Sequence, residues 1–318
     1  MMNNECGVSI VMLSFNRKND VAEGISELLA QEYPHLEIIV VDNGSSDGTA
    51  EMITEKFPHE QVKLINLPHN IGVAAYNIGF KKAVGKYIVI LDDDSFPGKT
   101  AIPRMVEEFE KNRKLGAVAF DIQNYEEFKH LKEKNEVPTP NPSNPSNPSN
   151  TSNTSNTSNK SGETRNYRMA FNGCGVGIRK SIIDRVGGYP EEFFLYWNEQ
   201  DLAIRILDAG YQIQTFTGII AYHKYSLSNR VSLRAPFYYT RNLYWLIWKY
   251  FPLPKLIKDT FKLLYCSFYY ALEQKTLVYL KATISAICNI KKIKRKPAAK
   301  DIIKNLRLTY KLAFIYYK

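Results

Sequence analysis

The sequence predicts an α/β fold, a doubly wound and largely parallel sheet followed by a basic helical extension. Three observations carry this reading. Over the first 120 residues short β-branched runs alternate with stretches of helical periodicity. Four of the strand ends open onto polar turns, and from Phe237 onward the chain turns aromatic and basic. Alternation at this spacing gives parallel strands, because each parallel connection needs a crossover element that then covers a sheet face.

Val8–Leu13 reads as the first strand, Val21–Gln31 as a helix, Leu36–Val41 as a strand and Thr49–Phe57 as a helix. Val62–Leu67 is the next strand and Ala74–Ala83 the next helix; Tyr87–Leu91 and Gly116–Phe120 are strands separated by a helix at Ile102–Asn112. Ala170–Ile178 is apolar and Gly-rich, Lys180–Val186 helical, and Leu202–Ala209 a helix closed by Gly210. Gln212–Tyr222 reads as paired strands leading to His223. Between residues 137 and 160, Asn-Pro-Ser and then Asn-Thr-Ser triplets offer almost no apolar side chains, so a disordered surface loop is expected there.

In sheets of this kind ligands bind beyond the carboxyl ends of the strands. That places Ser14-Phe15-Asn16-Arg17, Asp42-Asn43-Gly44-Ser45-Ser46-Asp47, Asn70-Ile71-Gly72 and Asp92-Asp93-Asp94 on one rim. Three carboxylates at the end of an apolar strand repel one another unless a cation offsets them, and a hard divalent ion does so while leaving positions open for phosphate. A metal and diphosphate site is the expectation; the alternative is a solvated turn. The bulk numbers allow one large core plus an appendage, with 318 residues of which 44% are hydrophobic. Cys6, Cys174, Cys266 and Cys288 show no paired spacing of the metal or redox type, and the first residues lack a basic start and an apolar signal core. No stretch has the length of about 18 apolar residues that a spanning helix needs.

Five separated motifs, taken together, resemble the family-2 inverting glycosyltransferases over about residues 7 to 250. They are Val8-Ser-Ile-Val-Met-Leu-Ser14-Phe-Asn16-Arg17, Ile38-Ile-Val-Val-Asp42-Asn-Gly-Ser-Ser-Asp47-Gly-Thr, Asn70-Ile-Gly72 with Asn77-Ile-Gly79, Leu91-Asp92-Asp93-Asp94, and Trp197-Asn198-Glu199-Gln200-Asp201-Leu202. The resemblance implies a Rossmann-like nucleotide-sugar domain of the GT-A type over residues 1–250. It implies a nucleotide diphosphate sugar as donor, with Ser14, Asn16, Arg17, Asp42, Asn70, Gly72, Asn77, Asp92 and Asp93 in its binding site. Asp92 and Asp94 match the family's Asp-X-Asp pair for Mn2+ or Mg2+, with His223 as a further metal or phosphate contact.

Residue chemistry leaves alternatives beside several of these roles. Asp42 can accept a hydrogen bond from a nucleotide or close an Asx turn, and Asn77 can reach a ribose or satisfy a buried loop backbone. Glu199 is the candidate general base for an acceptor hydroxyl. Asp201 is the second candidate and is also placed to cap a helix. Asn198 stands where the family commonly has an acid, which leaves room for a non-catalytic nucleotide-sugar-binding subunit. The Gln-X-X-Arg-Trp signature of processive synthases is absent, and a single transfer to a glycan or lipid-linked acceptor in polysaccharide assembly is expected.

Sixteen Lys and Arg against three acidic residues fall between Lys249 and Lys318, so the net charge of +10 belongs to this region. Such asymmetry argues against a nucleic-acid binder and for an anionic membrane surface. Residues 251–318 are expected to form a basic amphipathic helical tail, with Lys300, Lys304, Arg307, Lys311 and Lys318 on one side. A cytoplasmic enzyme held peripherally at the inner face of the plasma membrane is the combined expectation.

Overall fold

The computed structural model describes residues 7–125, 129, 155–158, 164–167, 170–224, 233–306, 308 and 310–314. The strands are β1 (Val8–Ser14), β2 (Leu36–Asp42), β3 (Val62–Asn66), β4 (Tyr87–Asp92), β5 (Ser95–Pro97), β6 (Leu115–Asn124), β7 (Ser155–Ser158), β8 (Thr164–Tyr167), β9 (Val176–Arg179) and β10 (Gln212–His223). Between and after them run α1 (Lys18–Leu29), α2 (Thr49–Lys56), α3 (Ala75–Lys82), α4 (Ala101–Lys111), α5 (Lys180–Val186) and α6 (Asn198–Asp208). The C-terminal part carries α7 (Arg234–Tyr250), α8 (Leu253–Glu273), α9 (Val278–Cys288) and α10 (Lys300–Asn305).

The strands form one mixed sheet in the order β3-β2-β1-β4-β9-β6-β10-β8-β7, with β5 paired to β10. β3, β2, β1 and β4 are parallel, in the register Ser14 opposite Asp42 and Leu13 opposite Asp92. That register brings three polar strand ends to one edge. Both faces of these strands are covered, as their unbroken apolar runs require. Ile10, Met12, Ile38, Val40, Val89 and Leu91 face α1, α2 and α4, while Val11, Ile39, Val41, Ile88 and Ile90 face α3, α5 and α6. The winding on both faces that the sequence predicts is therefore present.

The second half of the sheet departs from a simple parallel order. β9 lies antiparallel between β4 and β6, and β5 runs antiparallel to the end of β10, with Ser95 opposite His223. The expected paired strands of Gln212–Tyr222 are one strand, β10, whose register against β6 slips between Phe216 and Ile220. Gly218 sits in that slip, and the bulge accounts for the interruption seen in the sequence. Of the loop expected at 137–160, only Ser155–Ser158 are among the described residues, as β7. β7 pairs with β8, which pairs with β10, because a hairpin at a sheet edge needs backbone pairing rather than apolar side chains. Residues 137–154 lie outside the described residues.

A third cluster joins the two regions that the sequence divides at residue 250. Phe193, Trp197 and Ile204 pack in it with Leu243, Trp245 and Leu246 of α7, Leu263 of α8 and Tyr279 of α9. The helical region expected after residue 250 is present as α8, α9 and the short α10, which carries Lys300 and Lys304 of the expected basic side. Ile303 of α10, with Leu306, Ala313 and Phe314, is buried in the same cluster, and Ile302 is buried as well, so these apolar side chains are spent on internal packing. Arg307 and Lys318 lie outside the described residues. Among the described residues no helix is long and apolar enough to cross a membrane.

Candidate active site

The rim at the ends of β1, β2 and β4 is assembled by hydrogen bonds between its turns. Asn16 adopts a left-handed backbone (φ 54°), its N–H donates to Ser45 Oγ at 2.9 Å, and its Oδ1 accepts from the Ser46 N–H at 2.7 Å. Asp42 is fully buried and accepts from the Ser45 N–H at 3.2 Å and from the Ser45 hydroxyl. It closes its own turn, and burial raises its pKa against the lowering effect of those bonds. Ser14 is buried beside it, its carbonyl accepting from the Asn43 N–H at 2.8 Å.

Asn43, which the sequence reading did not single out, ties this turn to the next. Its Oδ1 accepts from the Ile71 N–H at 2.9 Å, and its Nδ2 donates to Asn70 Oδ1 and to the Gly72 carbonyl at 3.1 Å. Asn70 in turn caps Gly72 N–H at 2.8 Å. Gly72 has φ 67°, and a side chain there would collide with the Phe194 carbonyl, so only glycine lets these two loops meet. Asn77 lies apart from the rim. It clamps Tyr189, accepting from its N–H at 2.7 Å and donating to its carbonyl at 2.9 Å, which is the backbone-satisfying role.

The three carboxylates are differentiated by their partners. Asp94 accepts from Arg17 Nη1 at 2.8 Å and lies 2.9 Å from His223 Nε2. Burial pushes its pKa up, but His223 and Arg17 outweigh this and hold it well below the usual carboxylate range. Asp92 accepts from the Tyr76 hydroxyl at 3.0 Å, and burial followed by the neighbouring Asp94 raises its pKa. Asp93 is raised further, with burial the largest cause and Arg17, 3.4 Å away, opposing it. Arg17 is thus a partner of this acidic cluster, and the carboxylates hold its own pKa up against burial.

Asp92, His223 and Cys174 each bring a ligand atom within 4.8 Å of the others. Two oxygen or nitrogen donors with a thiol, and Asp94 hydrogen-bonded to the same imidazole, form a donor set that fits a divalent cation. Cys174 was invisible to a search for paired cysteines. Its only signal was its place in the run Gly173-Cys174-Gly175, where small neighbours let the backbone approach.

Glu199 and Asp201 start α6 but face different surroundings. Glu199 stands over Gly173, where an added Cβ would lie 2.8 Å from its Oε1. Burial, then the charge of Asp92, pushes its pKa up to about 7. Asp201 is fully buried and saturated: Arg205 Nε donates at 2.8 Å, Lys249 Nζ at 2.6 Å and the Tyr250 hydroxyl at 2.8 Å. With Asn77 and Arg205 it borders a separate cavity of about 510 Å³ that none of the strand-end aspartates lines. The second base candidate thus already accepts from two basic side chains and a phenol.

The turn that carries Glu199 is strained and held from outside. Phe194, Tyr196 and Trp197 all have positive φ, at 62°, 66° and 63°, conformations that cost bulky residues of order 1 kcal/mol or more each. Asn242 of α7, fully buried, donates its amide to the carbonyls of Phe193, Leu195 and Tyr196 at 2.6 to 3.1 Å. Trp197 Nε1 donates to the Tyr239 carbonyl at 2.8 Å. Neither Asn242 nor this strain has a local sequence signal, since both depend on α7 packing against a turn some 45 residues earlier.

A family model described as glycosyl transferase family 2 matches residues 9–187, more than half of the chain. The chain belongs to glycosyl transferase family 2. The match spans the rim from β1 to the residues after β9. Poly-beta-1,6-N-acetyl-D-glucosamine synthase of Staphylococcus epidermidis is 40% identical over 113 residues, 35% of this chain and 27% of that protein. This family-2 chain thus spans about a quarter of the length of that curated relative. Among solved structures, S. aureus TarS 1-349 superposes with a TM-score of 0.54 at 16% identity, covering 76% of this chain and 64% of TarS 1-349. A mannosyltransferase from Pyrobaculum calidifontis in complex with GDP-Man and Mn2+ gives 0.55 at 17% identity, covering 93% and 78%. GalNAc-T7 with UDP, GalNAc and Mn2+ gives 0.62 at 14%, covering 80% and 49%. These likenesses establish the GT-A glycosyltransferase fold that the motifs imply.

Proposed function

We propose that this family-2 enzyme is an inverting, metal-dependent transferase that moves a single sugar from a nucleotide diphosphate donor to a glycan or lipid-linked acceptor, in cell-envelope or exported polysaccharide assembly. The observation that carries the reading is Glu199: a carboxylate in the first turn of α6, directly after a strained turn, beside Gly173 of the Gly173-Cys174-Gly175 run, with its pKa raised to about 7 by burial and by the charge of Asp92. A base poised near neutrality can hold a proton taken from an acceptor hydroxyl. The acceptor oxygen then bonds to the anomeric carbon from the face opposite the diphosphate. The bond from that carbon to the diphosphate oxygen breaks, its electron pair stays on the departing nucleotide, and the configuration inverts.

The nucleotide would lie along the rim formed by the turns at Ser14–Arg17, Asp42–Asp47 and Asn70–Gly72. Asp92, Asp94 and His223, with Cys174 beside them, would hold Mn2+ or Mg2+. Such an ion offsets the negative charge of a leaving diphosphate. The Mn2+-bound mannosyltransferase and GalNAc-T7 structures, with their GDP-Man and UDP, support this reading of the donor side. The excess of Lys and Arg after residue 250 supports a reading in which the acceptor is met at an anionic membrane surface on the cytoplasmic side. The experiment is a transfer assay over UDP- and GDP-sugars with Mn2+, with the product anomer assigned by NMR. A product of retained configuration, or full activity in Glu199→Gln, overturns the mechanism.

A further inference from the structure

Helix α8 is apolar on both sides, and only one side is used. Leu256, Leu263, Ser267 and Ala271 are buried against α7 and α9. On the opposite side Ile257, Phe261, Leu264, Tyr265, Phe268 and Leu272 recur at helical spacing and are exposed, Phe261 to 69%, Phe268 to 58% and Leu272 to 65%. A helix that is apolar all round belongs in an apolar environment, and a row of exposed large side chains along one helix marks a contact surface rather than scattered surface apolarity. Leu277 in the turn after α8 and Ile284 and Ile287 on α9 are exposed as well.

Charge selects the occupant. Lys258 and Lys262, one turn apart, border the α8 stripe, and Lys275, Lys281, Lys291 and Lys292 are exposed around the α8–α9 hairpin. Glu273 is the one exposed acid on α8 and α9, while Lys255 and Asp259 neutralise each other at 2.8 Å. A second copy seated on this face would bring lysine rows together. An anionic lipid surface presents phosphates to the lysines and hydrocarbon to the phenylalanines, with the stacked Tyr265 and Tyr269 suited to the boundary between them.

We propose that the outer face of α8, extended by the turn into α9, lies in the plane of an anionic phospholipid membrane and anchors the enzyme there. No described helix can span a bilayer, and α8, with 21 residues, is about 30 Å long and lies flat. The surface differs from the one argued from Lys300 to Lys318: Ile302, Ile303, Leu306, Ala313 and Phe314 are buried, and α8 is left to present an apolar side. The proposal deepens the membrane part of the function above. Its assay contains neither donor nor acceptor, so failure here leaves sugar transfer standing, and failure of transfer leaves this anchor standing.

The test is sedimentation of the full chain with vesicles of equal parts phosphatidylglycerol and phosphatidylcholine, against phosphatidylcholine alone. Binding to the anionic vesicles is expected to weaken at least about tenfold in Phe261→Ser/Phe268→Ser, and to weaken and lose salt sensitivity in Lys258→Gln/Lys262→Gln. Phe268→Trp, which keeps an aromatic side chain, should be quenched by brominated lipid beyond the quenching of the parent chain. Unchanged binding in the serine variant together with no added quenching overturns the proposal, as does equal binding to neutral vesicles. A chain that dimerises without lipid, and becomes monomeric in the serine variant, would assign the face to a second copy instead.

Discussion

Glu199 and Asp201 are two residues apart, and their environments give them opposite uses. Asp201 meets two cations and a phenol, whereas the pKa of Glu199, pushed up to about 7, rests on burial and the nearby Asp92. Glu199→Gln keeps the size and cannot take a proton, so turnover should fall by about two to four orders of magnitude with donor affinity retained, measured by single-turnover kinetics. The same shift predicts a stability effect of definite sign. A carboxyl whose folded pKa lies above its unfolded value near 4.5 holds its proton in the folded state, and its stabilising contribution is lost as pH rises toward 7. Glu199→Gln should therefore gain melting temperature relative to the parent between about pH 5 and pH 8; a difference independent of pH would show that Glu199 is not held protonated by the fold. Asp94→Ala should abolish metal-dependent donor binding in calorimetry while the chain stays folded. Retained Mn2+-dependent donor affinity would take Asp94 out of the donor site.

At the scale of elements, legibility followed locality. β1, β2, β3 and β4 and the helices between them were readable to within a few residues because each is a contiguous apolar pattern whose partner is the next element along. β9 was not, since an antiparallel strand inserted between β4 and β6 is decided by sheet order, to which a Gly-rich run gives no clue. The carboxylate triplet and Glu199 were legible as acids at the ends of apolar patterns. Asn77, Asn43 and Asn242 were not, because an amide reads the same whether it binds a sugar or a backbone carbonyl far along the chain. Asn242 gives the sharpest test. Asn242→Ala leaves three carbonyls of the strained 193–196 turn without their donor, at about 1–3 kcal/mol for each buried group left unpaired. It should lower the melting temperature and reduce kcat more than it raises the donor KM. A loss of stability with normal kcat would separate the turn from the chemistry.

Across the whole molecule, the expected division at residue 250 does not separate two cores. Asp201 of α6 is bonded to Lys249 and Tyr250 at the end of α7, and the third apolar cluster runs from Phe193 to Phe314. Breaking a buried ion pair by removing one charge strands the other, at about 3–5 kcal/mol. Asp201→Asn should accordingly lower stability by about that amount in denaturant titration, with turnover per folded molecule preserved. A collapse of turnover without loss of stability would return Asp201 to the list of bases. The grip of Asn242 on the turn before Glu199 also sets an order of events during synthesis. The proposed metal pocket closes only when Cys174 and His223 have joined Asp92 and Asp94, and the turn after Asn70 only when Phe194 reaches Val73. The turn before Glu199 is held only after α7 docks, and α7 is itself packed by α8 and α9, which are made later still. The proposed site is thus fully formed only after the helices beyond residue 250, which contribute no residue to it, have been made and packed.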